Sequence, residues 1–174
     1  MMQMKVLLFS EGKNLFSKSG VGQALNHQKE ALGANNVEFT LDEKDDYDLV
    51  HINTIGLKSF QVLRQAKKRG IPVIYHTHTT YEDFRGSVKF SNQIAPIIKF
   101  WTKILYNSAD YLISPSEYTK NLIKTKYLRK DKEIRVISNG VDTKNFCKNE
   151  ELKNKFLEEY KIDKPLVITA GLPF

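Results

Sequence analysis

The stretch LVHINTIGLKSFQVLRQAKKRGIPVIY, residues 49–75, decides the fold class. Leu49-Val-His-Ile52 is a short apolar run of the kind buried in parallel sheets. Leu57–Arg69 then places apolar residues at 57, 60, 62, 63 and 66, which is helical spacing, and Gly70 stops the helix. Pro72-Val-Ile-Tyr75 starts a second apolar strand. A helix between two such strands is a crossover, and a crossover requires the strands to run parallel.

The same alternation continues in both directions. Toward the N-terminus, Met4–Ser10 reads as a first strand, Gly20-Val-Gly22 opens a helix to about Leu32, and Val37–Leu41 alternates as a second strand. Toward the C-terminus, residues 83–108 read as helix in two pieces, with Pro96 expected in the first turn of the second. Tyr111–Ile113 is a strand, Ser116 can N-cap a helix to about Tyr127, and Ile134–Ile137 is a sixth strand. Glu150–Tyr160 reads as helix and Leu166–Ala170 as a last strand. The expected fold is α/β: a Rossmann-like parallel sheet with helices on both faces. Ligands of such sheets bind beyond the C-terminal strand ends, at a switch in strand order. That rule nominates Ser10–Gly22, His51–Gly56, His76–Arg85, Ser114–Ser116 and Ser138–Asp142. No helix follows the strand ending in Gly171-Leu-Pro-Phe174, so the chain reads as cut inside a larger protein.

The 174 residues are 41% hydrophobic and 27% charged, ordinary for a globular domain with a real core. No apolar run approaches the roughly 20 residues that span a bilayer. The start, Met1-Met-Gln-Met-Lys5, lacks the pattern of a signal peptide. A single cysteine, Cys147, excludes an internal disulfide and fits a reduced, cytosolic setting. The net charge of +7 is concentrated: residues 85–135 hold eleven Lys/Arg against four Asp/Glu, while the flanking segments balance. Such a patch suits an anionic membrane or nucleic acid, or is simply a solvated helical surface. No nucleic-acid motif accompanies it, so no nucleic-acid partner is expected.

Four segments carry candidate chemistry. In Arg135–Phe146 an apolar strand runs into Ser138-Asn-Gly140, a turn in which Gly140 allows a positive φ and Asn139 tolerates one. Ser19-Gly-Val-Gly22 puts glycines at a helix start, where backbone N–H groups approach anions; it does not fit a dinucleotide or P-loop fingerprint. His76-Thr-His78 directs two histidines the same way from one strand end, with Glu82 and Asp83 near, but no cluster completes a metal site. Val88–Tyr106 places Ile94, Ile97, Ile98, Trp101, Ile104 and Leu105 on one helical face, with Lys89, Phe90, Lys99, Phe100 and Lys103 alongside. That pattern suits a membrane surface or an ordinary helix packed on the sheet.

The wording of Ser138–Phe146 resembles the I-x-N-G-V-D-x-x-x-F signature of family-4 retaining glycosyltransferases, and Pro72–His78 resembles that family's P-V-x-x-T-x-H strand. The continuation His78-Thr-Thr-x-Glu-Asp-Phe-Arg85 looks like the bacterial diacylglycerol glucosyltransferases, the glycolipid synthases. The resemblance covers nearly the whole chain. It implies the N-terminal half of a two-domain GT-B enzyme, with residues 1–145 as the acceptor-binding domain and 146–174 as linker and first strand of a nucleotide-sugar domain. It implies His78 at the reacting groups, and Ser19, Gly20, Val21 and Gly22 facing the donor's phosphates and sugar. Asn139, Gly140 and Asp142 would form the interdomain hinge. His51 would line the acceptor pocket or be a buried structural histidine; Glu82 and Asp83 would bind acceptor hydroxyls or cap the following helix. The implied co-substrate is a UDP-sugar, used without a bound metal or tightly held cofactor. The implied partners are a lipid acceptor and an anionic membrane surface, touched by Lys89, Phe90, Lys99, Phe100 and Lys103 at the cytoplasmic face. The alternatives are a self-contained α/β binding or regulatory module, or a glycosyltransferase acting on a soluble or polysaccharide acceptor.

Overall fold

The structure, a computed structural model, describes residues 4–12, 20–86, 91–141, 143 and 147–167. In chain order the elements are β1 (Lys5–Phe9), α1 (Gly20–Ala34), β2 (Glu38–Thr40), β3 (Leu49–Ile52), α2 (Leu57–Lys68), β4 (Val73–His76), α3 (Tyr81–Phe84), α4 (Ser91–Ser108), β5 (Tyr111–Ser114), α5 (Glu117–Lys126), β6 (Ile134–Val136) and α6 (Glu150–Glu159). The six strands form one sheet in the order β2-β1-β3-β4-β5-β6, every pair parallel. From β1 the chain crosses to β2 on one side and then returns to β3 on the other. The strand order therefore reverses between β1 and β3, and a crevice opens at their C-terminal ends.

Side chains alternate across each strand, so the register assigns every residue to a face. Leu7, Phe9, Val50, Ile52, Val73, Tyr75 and Leu112 point into the larger core. There they meet Val62, Leu63 and Ala66 of α2, Leu105 and Tyr106 of α4, and Leu122 and Ile123 of α5. Val6 and Leu8 point the other way, onto Leu25 of α1, with Leu32, Val37, Phe39, Leu41 and Leu49 packed around them. His51 pairs in register with Leu8, and Ile74, two residues before His76, pairs with His51. Both histidines therefore belong to the α1 face, at the end of the sheet where the crevice lies.

Two polar staples brace the sheet unit, one at each end of the sheet. Gly56, the N-cap of α2, offers no side-chain cap. The carboxylate of Glu11, just past β1, takes that role, accepting from the Lys58 backbone N–H at 2.7 Å and from the Ser59 hydroxyl at 3.0 Å. An added Cβ at Gly56 would land on that carboxylate. α4 has no basic residue in its last turn. Lys132 supplies one from the segment before β6, donating to the carbonyls of Tyr106 and Asn107 at 2.9 Å each and of Ala109 at 2.5 Å.

Several expectations are corrected. Pro96 lies in the interior of α4, not in its first turn. Its missing N–H deprives the carbonyl of Asn92, and both residues are exposed, so solvent can satisfy that carbonyl. The buried stripe of α4 is Ser91, Ala95, Thr102, Leu105 and Tyr106, while Ile94, Ile97 and Phe100 are 43%, 66% and 63% exposed. The small residues let the helix approach the sheet, and the Thr102 hydroxyl is satisfied by the Ile98 and Lys99 carbonyls. Gly140 does not use a positive φ; the left-handed glycines among the described residues are Gly12, Gly70 and Gly86. Leu166 and Val167 are not in a strand, and residues 168–170 lie outside the described residues.

The chain divides into two compact units, Met1–Gly140 and Val141–Phe174. The described part of the second contains α6, capped by Asn149, whose side chain accepts from the Leu152 N–H at 2.9 Å. Phe156 and Tyr160 pack together with ring centroids 4.7 Å apart and planes tilted by 36°.

Candidate functional site

The site forms where β3 and β4 end. After β4, the Thr77 N–H and hydroxyl both bond the Ile113 carbonyl of β5, at 2.8 and 3.1 Å. The His78 N–H turns back to the His76 carbonyl at 3.0 Å. This tight turn lays the His78 ring on His76, with centroids 3.9 Å apart and planes within 9°. His76 also stacks on His51, at 5.5 Å and 5°. Three imidazoles thus form one column.

Two amides face the column. Asn53, the first residue after β3, is 1% exposed, and Gln28 reaches it from α1. They bond reciprocally: Gln28 Nε2 donates to Asn53 Oδ1 at 2.9 Å, and Asn53 Nδ2 donates to Gln28 Oε1 at 3.0 Å. Gln28 Nε2 also lies 3.2 Å from His76 Nδ1, and His78 Nε2 lies 3.2 Å from Asn53 Oδ1.

The column is uncharged at neutral pH. Burial, with the His78 ring as a second cause, lowers His51 from 6.5 to about 4. Burial lowers His78 to about 4 as well. His76, buried and flanked by both other rings, falls to about 2. His51 keeps part of its surface exposed, yet its Nε2 is sealed, as are Nε2 of His76 and Nδ1 of His27, and none of the three has a hydrogen-bond partner among the described residues. Sealed polar atoms without partners carry a desolvation cost. Among the described residues no group of three or more His, Cys, Asp or Glu could hold a metal ion. Near-parallel rings also direct their nitrogens side by side rather than toward one point. What the arrangement offers is a neutral surface of hydrogen-bond donors and acceptors, suited to uncharged hydroxyls.

The other sequence-derived candidates spread around this column. Gly20, Val21 and Gly22 form the first turn of α1, the helix that carries Gln28; Ser19 lies outside the described residues. Glu82 accepts from the Tyr127 hydroxyl at 2.8 Å and pairs with Lys126 at 3.2 Å. Partial burial pushes its carboxyl up, but those two partners outweigh this and hold it below the ordinary value. Asp83 and Thr80 cap α3 reciprocally: the Asp83 N–H donates to Thr80 Oγ1 at 3.1 Å, and that hydroxyl donates to Asp83 Oδ2 at 2.6 Å. Asn139 and Gly140 are exposed beyond β6, and Gly140 sits beside the His27 ring; Asp142 lies outside the described residues. Phe100 is exposed, Lys99 and Lys103 are half-buried, and the Lys99 ammonium stands 5.0 Å over the Tyr81 ring; Lys89 and Phe90 lie outside the described residues.

Gln28 and Asn53 were not among the candidates. Asn53 carried a signal, a polar residue directly after an apolar strand in a nominated segment. Gln28 carried a weaker one, since it occupies a position on the stripe that Leu25 and Leu32 make apolar.

Comparison with known proteins bears on this geometry. The profile of Glycosyltransferase Family 4 matches residues 26–145. The chain is 37% identical over 173 residues to the processive diacylglycerol alpha-glucosyltransferase of Acholeplasma laidlawii, covering 98% of this chain and 51% of that protein. It is 30% identical over 118 residues to the alpha-monoglucosyldiacylglycerol synthase of Streptococcus pneumoniae, covering 66% of this chain and 25% of the relative. The chain therefore spans about half the length, or less, of these relatives. Its fold is similar to that of Anabaena HepE, solved in complex with UDP and glucose, with a TM-score of 0.55 at 16% identity over 91% of this chain and 50% of that one.

Proposed function

The chain belongs to Glycosyltransferase Family 4, and from that premise we propose that it is the N-terminal half of a retaining enzyme that moves a hexose from a UDP-sugar to a diacylglycerol-type lipid. The observation that carries this reading is the likeness to a diacylglycerol glucosyltransferase along almost the entire chain. The neutral histidine column supports it physically. Sugar and glycerol hydroxyls are uncharged, and an uncharged, partly sealed set of donors and acceptors binds them without the cost of burying an unpaired ion.

In this reading His78 touches the donor sugar at the reacting centre, and the Ser19–Gly22 segment faces the donor phosphates. His51 lines the acceptor side, while Glu82 and Asp83 lie toward the acceptor at the head of α3. Asn139, Gly140 and Asp142 form the hinge to a nucleotide-sugar domain that begins near residue 146. The diphosphate of the leaving group is stabilised by that second domain, with no bound metal. The protein works as a peripheral enzyme at the inner face of the cell membrane. Among the described residues no helix is long and apolar enough to cross a membrane. The exposed Ile94, Ile97 and Phe100, flanked by Lys99 and Lys103, give α4 a surface that suits lipid. Lys89 and Phe90, which precede α4 in the sequence, belong to the same proposed contact. Near an anionic leaflet each lysine contributes about 1 kcal/mol.

The test is a screen of the full-length enzyme with UDP-glucose and UDP-galactose against diacylglycerol in vesicles and against soluble sugar acceptors. Transfer to diacylglycerol with retained anomeric configuration is expected. Transfer to soluble acceptors alone would replace the lipid reading, and no transfer to any acceptor would favour a binding module.

A further inference from the structure

We propose that Gln28 and Asn53 couple the tautomers of His76 and His78, so that both rings carry their proton on the same nitrogen and His78 is held with Nδ1 as an unprotonated acceptor. Its relevance to sugar transfer rests on His78 touching substrate, as proposed above; the coupling itself does not.

A carboxamide donates at one end and accepts at the other, so a chain of amides passes on a direction. Gln28 Nε2 has two hydrogens. One goes to Asn53 Oδ1 at 2.9 Å, and the other meets His76 Nδ1 at 3.2 Å. His76 therefore accepts at Nδ1, and as a neutral ring it carries its proton on Nε2. The second half of the amide pair, Asn53 Nδ2 to Gln28 Oε1 at 3.0 Å, turns Asn53 Oδ1 toward His78 Nε2, 3.2 Å away. A carbonyl oxygen only accepts, so His78 also carries its proton on Nε2.

Rotating one amide alone would set oxygen against oxygen and N–H against N–H within the pair. Both must turn together, and the rotated pair would present an oxygen to His76 Nδ1 and an N–H to His78 Nε2. Both rings would then move their protons to Nδ1. The two imidazoles therefore change tautomer together or not at all. Asn53 is almost fully buried, and each amide is tied at both ends, which makes the pair a stiff link. Gln28 acts on His78 only through Asn53, so both are positioning residues.

The coupling is read in long-range 1H–15N spectra of the full-length protein with 15N-labelled histidine, at neutral pH. The four histidines of this chain, His27, His51, His76 and His78, are assigned by the signals that disappear in each single His→Gln variant. In the wild type, Nδ1 of His76 and His78 should both resonate in the unprotonated region and both Nε2 in the protonated region. In Gln28→Leu, His78, whose ring bonds Asn53 rather than Gln28, should shift toward a mixture of tautomers as the Asn53 amide becomes free to turn. Opposite tautomers in the wild type would overturn the proposal without any variant. An unchanged His78 spectrum in a folded Gln28→Leu protein would overturn it equally. No sugar is present in these spectra, so their outcome is separate from whether His78→Ala loses turnover.

Discussion

Lowering the pH from 7 to 5 should remove a large part of the stability of the sheet unit, because its histidine column must stay neutral to stay folded. The ordinary value of 6.5 applies to each ring in the unfolded chain, against about 4 for His51 and His78 and about 2 for His76 when folded. Between pH 6.5 and about 4 the unfolded chain therefore binds more protons, and stability falls as pH falls through that window. Each histidine contributes a slope approaching about 1.4 kcal/mol per pH unit, which integrates to roughly 2 kcal/mol by pH 5. Three rings would give about 6 kcal/mol; discounting for the partial exposure of His51 and His78 leaves roughly 3–5 kcal/mol, against a total of about 5–15 for a domain. Glu82 and Asp110 have depressed pKa values, so their contributions persist above the ordinary carboxylate values of 4.5 and 3.8 and are lost only below them. They are nearly silent in the window measured. Trp101 is the only tryptophan among these 174 residues. It donates to the Ile55 carbonyl at 2.5 Å and packs edge-on against Phe60, so its fluorescence reports this unit. Urea unfolding followed by Trp101 at pH 7, 6 and 5 gives the slope directly. A loss below about 1 kcal/mol between pH 7 and 5 would refute the neutral column, and His76→Gln should shrink the dependence by about a third.

His78→Ala in the full-length enzyme should lower turnover by about two orders of magnitude, against a loss of about 1–3 kcal/mol in urea unfolding for a ring taken from the buried network; unchanged turnover would remove His78 from the reacting centre. Lys132→Met should cost about 2 kcal/mol in urea unfolding, since the carbonyls of Tyr106 and Asn107 in α4 and of Ala109 just after it lose a charged donor that burial has already partly desolvated. Gly56→Ala should destabilise by about 2 kcal/mol through expulsion of the Glu11 carboxylate from the start of α2; a loss under about 0.5 kcal/mol would show that the carboxylate moves freely. Reversing the charge of Lys99 and Lys103 should reduce sedimentation of the full-length enzyme with anionic vesicles, and equal sedimentation would return that face of α4 to an ordinary solvated surface.

The parallel sheet was legible because apolar runs and helical spacing repeat without interruption from Lys5 to Val136. The Ser116 cap is where local chemistry said it would be, accepting from the Thr119 N–H at 3.1 Å. α4 misled because periodicity counts apolar residues without asking which face can approach a sheet. Ala95 and Thr102 are weak hydrophobic signals, but their small size permits close packing, and the bulkier Ile94, Ile97 and Phe100 are left outside. The site was half legible. His51, His76 and His78 follow from strand ends and spacing. The amides that order them do not, because Gln28 lies twenty-five residues from Asn53 and the pairing exists only once α1 packs over β3.

That last dependence constrains how the site can be studied. α1 seals Val6 and Leu8 with Leu25 and, one turn later on the same helix, brings Gln28 to the strand ends. A change that loosens α1 would therefore weaken the smaller core and release the histidine orientation together. Loss of turnover from a substitution on α1 would by itself be ambiguous between the two. The buried polar network makes the ambiguity sharper, because removing one partner strands the others at about 1–3 kcal/mol each. Substitutions that keep volume while removing hydrogen-bonding ends, such as Gln28→Leu, separate the effects best. They keep the apolar packing of α1 on the sheet while removing the amide that sets the direction passed to His76 and His78, so the stability they lose is that of the polar network alone.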